Sequence, residues 1–209
     1  MNFVKLHRST PANKSSVTDF NPNDPQMEPL GRIQVLVAMG VTALVLLLIA
    51  RFWLLFDSVS LLSVELNGLV FLVGVGIGFG ITGASAIAYH VWPGYRKSAN
   101  LYLKMVLEPL VWADLVWMGL LPGLSEELLF RGVMLPAIGL NINGVVFSSL
   151  CFGVLHLSGL QQWPYVVWAT CIGLILGTSA LLSGNLLVPI VAHIITNILS
   201  SLIWKARSQ

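Results

Sequence analysis

The chain has 209 residues, a net charge of +2, only 10% charged residues and a mean hydropathy of +0.83. A soluble domain carries about a quarter charged residues, so composition excludes an ordinary soluble fold and points to a polytopic membrane protein of one domain. The small net charge, without a basic run, phosphate loop or stacking-aromatic pattern, excludes nucleic acid as a partner.

Residues 1–32 are polar, with Pro11, Pro22, Pro25 and Pro29 and charges of both signs. They hold no apolar core with a small-residue cleavage site, so the segment reads as a disordered tail rather than a secretory signal. Partner binding is a second use open to it. A membrane helix needs about 20 mainly apolar residues. Residues 33–56 fit, with Arg51 near one end where it can snorkel. Residues 68–92 fit too, and carry Gly74, Gly76, Gly78, Gly80 and Gly83, which permit close helix contact. With no strand signal or lysine beside them, these glycines do not read as a nucleotide loop. Residues 93–104 read as a basic polar loop. An apolar stretch then runs over 102–140, broken at Pro122-Gly123, and forms one kinked helix or two shorter ones. Residues 143–157 form a helix short for a span. Two more helices follow at 163–182 and 186–204, with Gly184-Asn185 as the turn between them. Cys151 and Cys171 lie in apolar segments and read as packing residues, not as a disulfide or a thiolate metal site.

The expected fold class is an all-α, polytopic transmembrane helical bundle of about six spans, or seven if 102–140 crosses twice. Its parts are the tail (1–32), two spans with the basic loop (33–104) and a helical core (105–204). Of the 11 Lys and Arg, all but Arg51 and Arg131 lie in the tail, the 93–104 loop or the C-terminus. Positive residues favour the cytoplasmic side. Six spans put all three segments, and so the N-terminus, in the cytoplasm.

Residues 124–133, LSEELLFRGV, set Glu126, Glu127 and Arg131 in an otherwise apolar run. Each unpaired charge at the bilayer centre costs roughly 2.5–3.5 kcal/mol on insertion scales, which makes an intramembrane ionisable group a functional candidate by default. Glu127 and Arg131 are four apart and can pair on one helix face. Glu126 sits about 100° round the helix and has no local partner. The bland alternative is a buried ion pair that holds helices in register, with Glu126 near the interface. Later segments add polar groups. CFGVLH places Phe152 and His156 on one face, and VPIVAHIITN places His193 and Asn197 on another, with Pro189 one turn earlier. Two histidines, an asparagine and a free carboxylate on three helices could converge in a bundle core, where facing helices build polar sites.

Glu126-Glu127-x-x-x-Arg131, Phe152-x-x-x-His156 and His193-x-x-x-Asn197, in that order, resemble the three motifs of the CPBP family, the CAAX prenyl proteases and bacteriocin-processing (Abi) proteins. The resemblance covers residues 105–204. It implies an intramembrane endopeptidase acting on a membrane protein or peptide within the lipid bilayer. Glu126 would activate water, held by His156, while His193 and Asn197 stabilise the oxyanion. Glu127 and Arg131 would support the site, and Phe152 would pack beneath His156. Peptide hydrolysis needs such a base and such donors. No cofactor is required by this scheme. The alternative is a zinc ion on Glu126, His156 and His193, which Asn197, best used as a second donor beside His193, makes the less favoured of the two. Two other functions stay open: a non-catalytic membrane scaffold or immunity-type protein, and a proton-coupled transporter using Glu108 and Asp114. Trp112 and Trp117 beside those carboxylates read equally as an aromatic belt, and no second half mirrors the first as in many transporters.

Overall fold

In lipid, every backbone polar group must be satisfied internally, and each apolar run of this chain folds into helix. The computed structural model describes residues 30–208; the tail reading for residues 1–29 lies outside them. Helix α1 is Arg32–Phe56, α2 is Gly68–Val91 and α3 is Pro93–Leu107. A 3-10 turn at Trp112–Asp114 leads into α4, Leu115–Glu127. A π-helical segment, Leu128–Met134, and the short α5, Leu135–Ile138, continue it. Then come α6 (Ile142–Leu155), a 3-10 turn at Leu160–Gln162, α7 (Trp163–Ser183) and α8 (Leu187–Arg207). No strand occurs among the described residues.

The chain is therefore an all-α, polytopic integral membrane protein. Four helices, α1, α2, α7 with its leading turn, and α8, are long and apolar enough to cross a membrane. The α3–α5 run, bent by 108° across 108–111, makes a fifth when counted as one span, and α6 is a shorter apolar helix. Much of the apolar surface faces outward: in α1 only Val35, Ala43, Leu46 and Ala50 are buried.

Two sequence expectations are corrected. The basic loop over 93–104 is helix α3. Pro93 starts it at a position where its missing N–H costs nothing. Tyr95, Ser98, Ala99 and Leu107 turn inward while Arg96, Lys97 and Lys104 stay exposed, so a polar composition belongs to the outer face of an amphipathic helix. The break in 102–140 falls at 108–111, not at Pro122-Gly123. Pro122 lies inside α4, which continues through it.

Helix α8 is held between α2 and α4 by glycines. A Cβ on Gly74 or Gly78 would come within 2.8 Å of Val191 or 2.7 Å of Ile195. On the other side, Gly119 and Gly123 face Ile198 and Ile194 just as closely. Of the five α2 glycines noted in the sequence, Gly74 and Gly78 serve this contact, while Gly76, Gly80 and Gly83 face open space. Helices α6 and α7 meet at Gly173 and Gly177, against Ser149 and Val145.

Polar clamps fix both ends. At one end Arg32 donates twice to Asp114, at 2.7 and 2.8 Å, tying the start of α1 to the turn before α4. There too, Lys205 near the end of α8 donates to the carbonyls of Leu107, Glu108 and Leu110, capping α3. At the other end Asn185 exchanges hydrogen bonds with the backbone of Glu65. In the same connection between α1 and α2, Leu62 N–H donates to Gly132 O of the π-helical segment at 3.0 Å.

Candidate active site

Glu126 and Glu127 are the last two residues of α4, and Arg131 sits in the π-helical segment that follows. Such segments occur often at functional sites. Glu127 and Arg131 are fully buried, and Arg131 Nη1 donates to Glu127 Oε1 at 2.8 Å, the pair expected from their spacing. Arg131 Nη2 donates to Gly173 O of α7 at 2.9 Å, and the guanidinium lies 4.5 Å from the Phe152 ring centroid. The cation is thus held by a carboxylate, a carbonyl and an aromatic face, each offsetting desolvation.

Glu127 also reaches a partner that sequence reasoning did not assign. His193 Nδ1 lies 2.7 Å from the same Oε1. A carboxylate can only accept, so Nδ1 carries the proton and Nε2 is left free of this contact. Glu127 therefore links Arg131 to the ring of His193.

His156 ends α6. Its Nδ1 is 2.9 Å from Phe152 O, a carbonyl that can only accept, so Nδ1–H is the donor and the neutral ring holds a lone pair on Nε2. That Nε2 is 3.9 Å from Glu126 Oε2, a buried atom with no hydrogen-bond partner among the described residues. Phe152 packs against both histidines, with centroid separations of 4.9 Å to His156 and 5.7 Å to His193.

Asn197 lies one turn beyond His193, and its Nδ2 makes a long 3.5 Å contact with Met118 O. The reason that this carbonyl is available lies four residues on. Pro122 has no N–H to give to Met118, so the carbonyl loses its helical partner and is left to accept from Asn197. Pro122, read from sequence as a break, acts here within an unbroken helix.

A cavity of about 90 Å³ is lined by His156, His193, Asn197, Phe152, Tyr102 and Tyr165. A larger one of about 320 Å³ lies between α1, α3 and α4 and is lined by Met39, Ala43, Met105, Pro122 and Glu126. Tyr102 and Met118 line both cavities. Tyr102 and Tyr165 stack at 4.7 Å and were missed in the sequence, because Tyr102 lay in a segment read as a loop end. Among the described residues no three His, Cys, Asp or Glu side chains are grouped to hold a metal. Of the three residues of the zinc alternative, Glu126 lies 3.9 Å from His156, while His193 reaches Glu127 through Nδ1.

A polytopic helical membrane protein with a buried carboxylate beside a histidine, backed by a Glu–Arg–His network, is the class that fold and site define. Residues 108–199 match the family described as type II CAAX prenyl endopeptidase Rce1-like, and all three motifs fall inside the match. The resemblance to the CPBP family holds over this segment. A Bacillus subtilis (strain 168) protein described as uncharacterized protein YpbD is 38% identical over 81 residues, covering 39% of this chain and 40% of that one. The chain thus spans about two-fifths of the length of the curated relative it matches. No solved structure matches.

Proposed function

We propose that the chain is an intramembrane endopeptidase that hydrolyses a peptide bond of a membrane-associated protein or peptide. The observation that carries this reading is the partnerless Glu126 Oε2, 3.9 Å from a His156 nitrogen whose tautomer Phe152 O fixes. A separation above 3.5 Å between two acceptors suits a bridging water that donates to both. Its oxygen lone pairs then face a substrate carbonyl. On attack, Glu126 takes the water proton and returns it to the leaving amine.

The negative oxygen that develops needs donors. Asn197 Nδ2 supplies one. His193 has committed Nδ1–H to Glu127, so only its imidazolium form, with Glu127 as counter-ion, offers Nε2–H as the second. Glu127 thereby orients an oxyanion donor as well as holding Arg131.

The test compares the termini of membrane proteins in cells carrying the wild type or Glu126→Gln, both at equal folded abundance. New termini should appear with the wild type and vanish with the variant. Identical termini in both would overturn the peptidase reading and favour a scaffold built on the same fold.

A further inference from the structure

Charge is distributed unevenly over the bundle. Arg32, Arg96, Lys97, Lys104, Lys205 and Arg207 gather at the end where α1 begins and α8 stops. Two of these are engaged: Arg32 pairs with Asp114, and Lys205 caps the carbonyls after α3. Arg96, Lys97 and Lys104, on α3, are exposed and make no salt bridge among the described residues. Arg207 of α8 is exposed beside them, across a groove it shares with Asn100 of α3. Among the described residues the one exposed carboxylate near this set is Glu108.

Helix α3 has the matching shape. Lys97 and Lys104 stand about two turns apart on one face. Leu101 and Met105 lie exposed beside them, at 51% and 48% of full accessibility. The 108° bend sets α3 across the direction of the α4 segment that follows. A helix with cations on its outer face and apolar side chains beside them is built for a membrane interface.

We propose that α3 is an interfacial helix whose outer face docks on the headgroups of anionic phospholipids in the surrounding bilayer. Its inner face carries Tyr95, Tyr102 and Leu103, which line the cavity of His156 and His193. Headgroup docking therefore fixes the wall on which Tyr102 stands. Docking itself does not depend on the peptidase reading; only its effect on turnover does.

The full chain is reconstituted in bilayers of phosphatidylcholine alone or mixed with phosphatidylglycerol, and amide hydrogen exchange is followed over residues 93–107, with α6 as internal reference. Anionic lipid should slow exchange in α3 by at least about threefold, since basic residues near such a surface are each attracted to it. The slowing should vanish in Arg96→Gln/Lys97→Gln/Lys104→Gln and persist in Arg96→Lys/Lys97→Arg/Lys104→Arg. Equal exchange in both bilayers, equal slowing in the glutamine variant, or the same slowing from soluble glycerol phosphate in phosphatidylcholine would each overturn the proposal. If exchange responds in this way while cells carrying the wild type and Glu126→Gln show identical membrane-protein termini, the peptidase reading fails and the docking stands.

Discussion

At the scale of single residues, Glu127 carries more than its spacing suggests. One carboxylate oxygen accepts from both Arg131 and His193, in a site with no exposed member of the pair. Glu127→Gln leaves the Arg131 charge uncompensated, which for a buried pair costs about 3–5 kcal/mol. Lower thermal stability is expected and, on the proposed peptidase reading, lost cleavage in the molecules that do fold, because the carboxylate that orients His193 is gone. Full turnover per folded Glu127→Gln molecule would overturn the link to His193. Pro122→Ala separates position from stability. It returns an N–H to Met118 O, which then competes with Asn197 for that carbonyl and weakens an already long contact. The fold should be kept while turnover falls about tenfold or more, as when an oxyanion donor is weakened; unchanged turnover would sink this account of Asn197. The Glu127–Arg131 pair was legible in the sequence because helical periodicity relates residues four apart. The Glu127–His193 contact spans 66 positions, and periodicity within one helix says nothing about which helix lies opposite.

Among elements, α8 is the one whose placement bears most on the proposed site, since it carries His193 and Asn197. Its distance from α2 and α4 is set by backbone approach at Gly74, Gly78, Gly119 and Gly123. Gly78→Leu should destabilise by about 1–3 kcal/mol, the range for overpacking, and reduce turnover by moving α8. Gly76→Leu, which meets open space, should do neither. Thermal unfolding of both variants in one detergent is the check, and equal stability would disprove the glycine contact. That α2 packs closely was legible from its glycines. Which of the five face a partner was not, because that depends on the helix that comes to lie against them. The π-helical segment had no sequence signature either: one of its carbonyls, Gly132 O, is satisfied by Leu62 N–H from a distant connection. Helix α3 was hidden for a different reason. Its polar residues are concentrated on one face, and a reading by composition averaged the two faces together.

At the scale of the whole molecule, the contacts between helix ends turn an argument about charge into one about sidedness. Lys205 reaches the carbonyls after α3, and Arg32 reaches the turn before α4, so the start of α1, the end of α3 and the end of α8 meet at one end of the bundle. The opposite end carries Glu65, held to Asn185 between α7 and α8. Basic segments favour the cytoplasmic face, so the first of these ends is expected in the cytoplasm. Single cysteines at Lys97, Ser208 and Glu65, all exposed, test this in a chain whose Cys151 and Cys171 are replaced. Ser98 would be a poor probe because it is buried. With an impermeant thiol reagent on sealed right-side-out vesicles, position 65 should label at once, and positions 97 and 208 only after the membrane is opened. Labelling of 97 and 208 before opening would reverse the orientation and leave the bundle intact. Labelling of 97 from one side and 208 from the other would contradict the clamp by Lys205, because a side chain cannot cap a helix end across a bilayer.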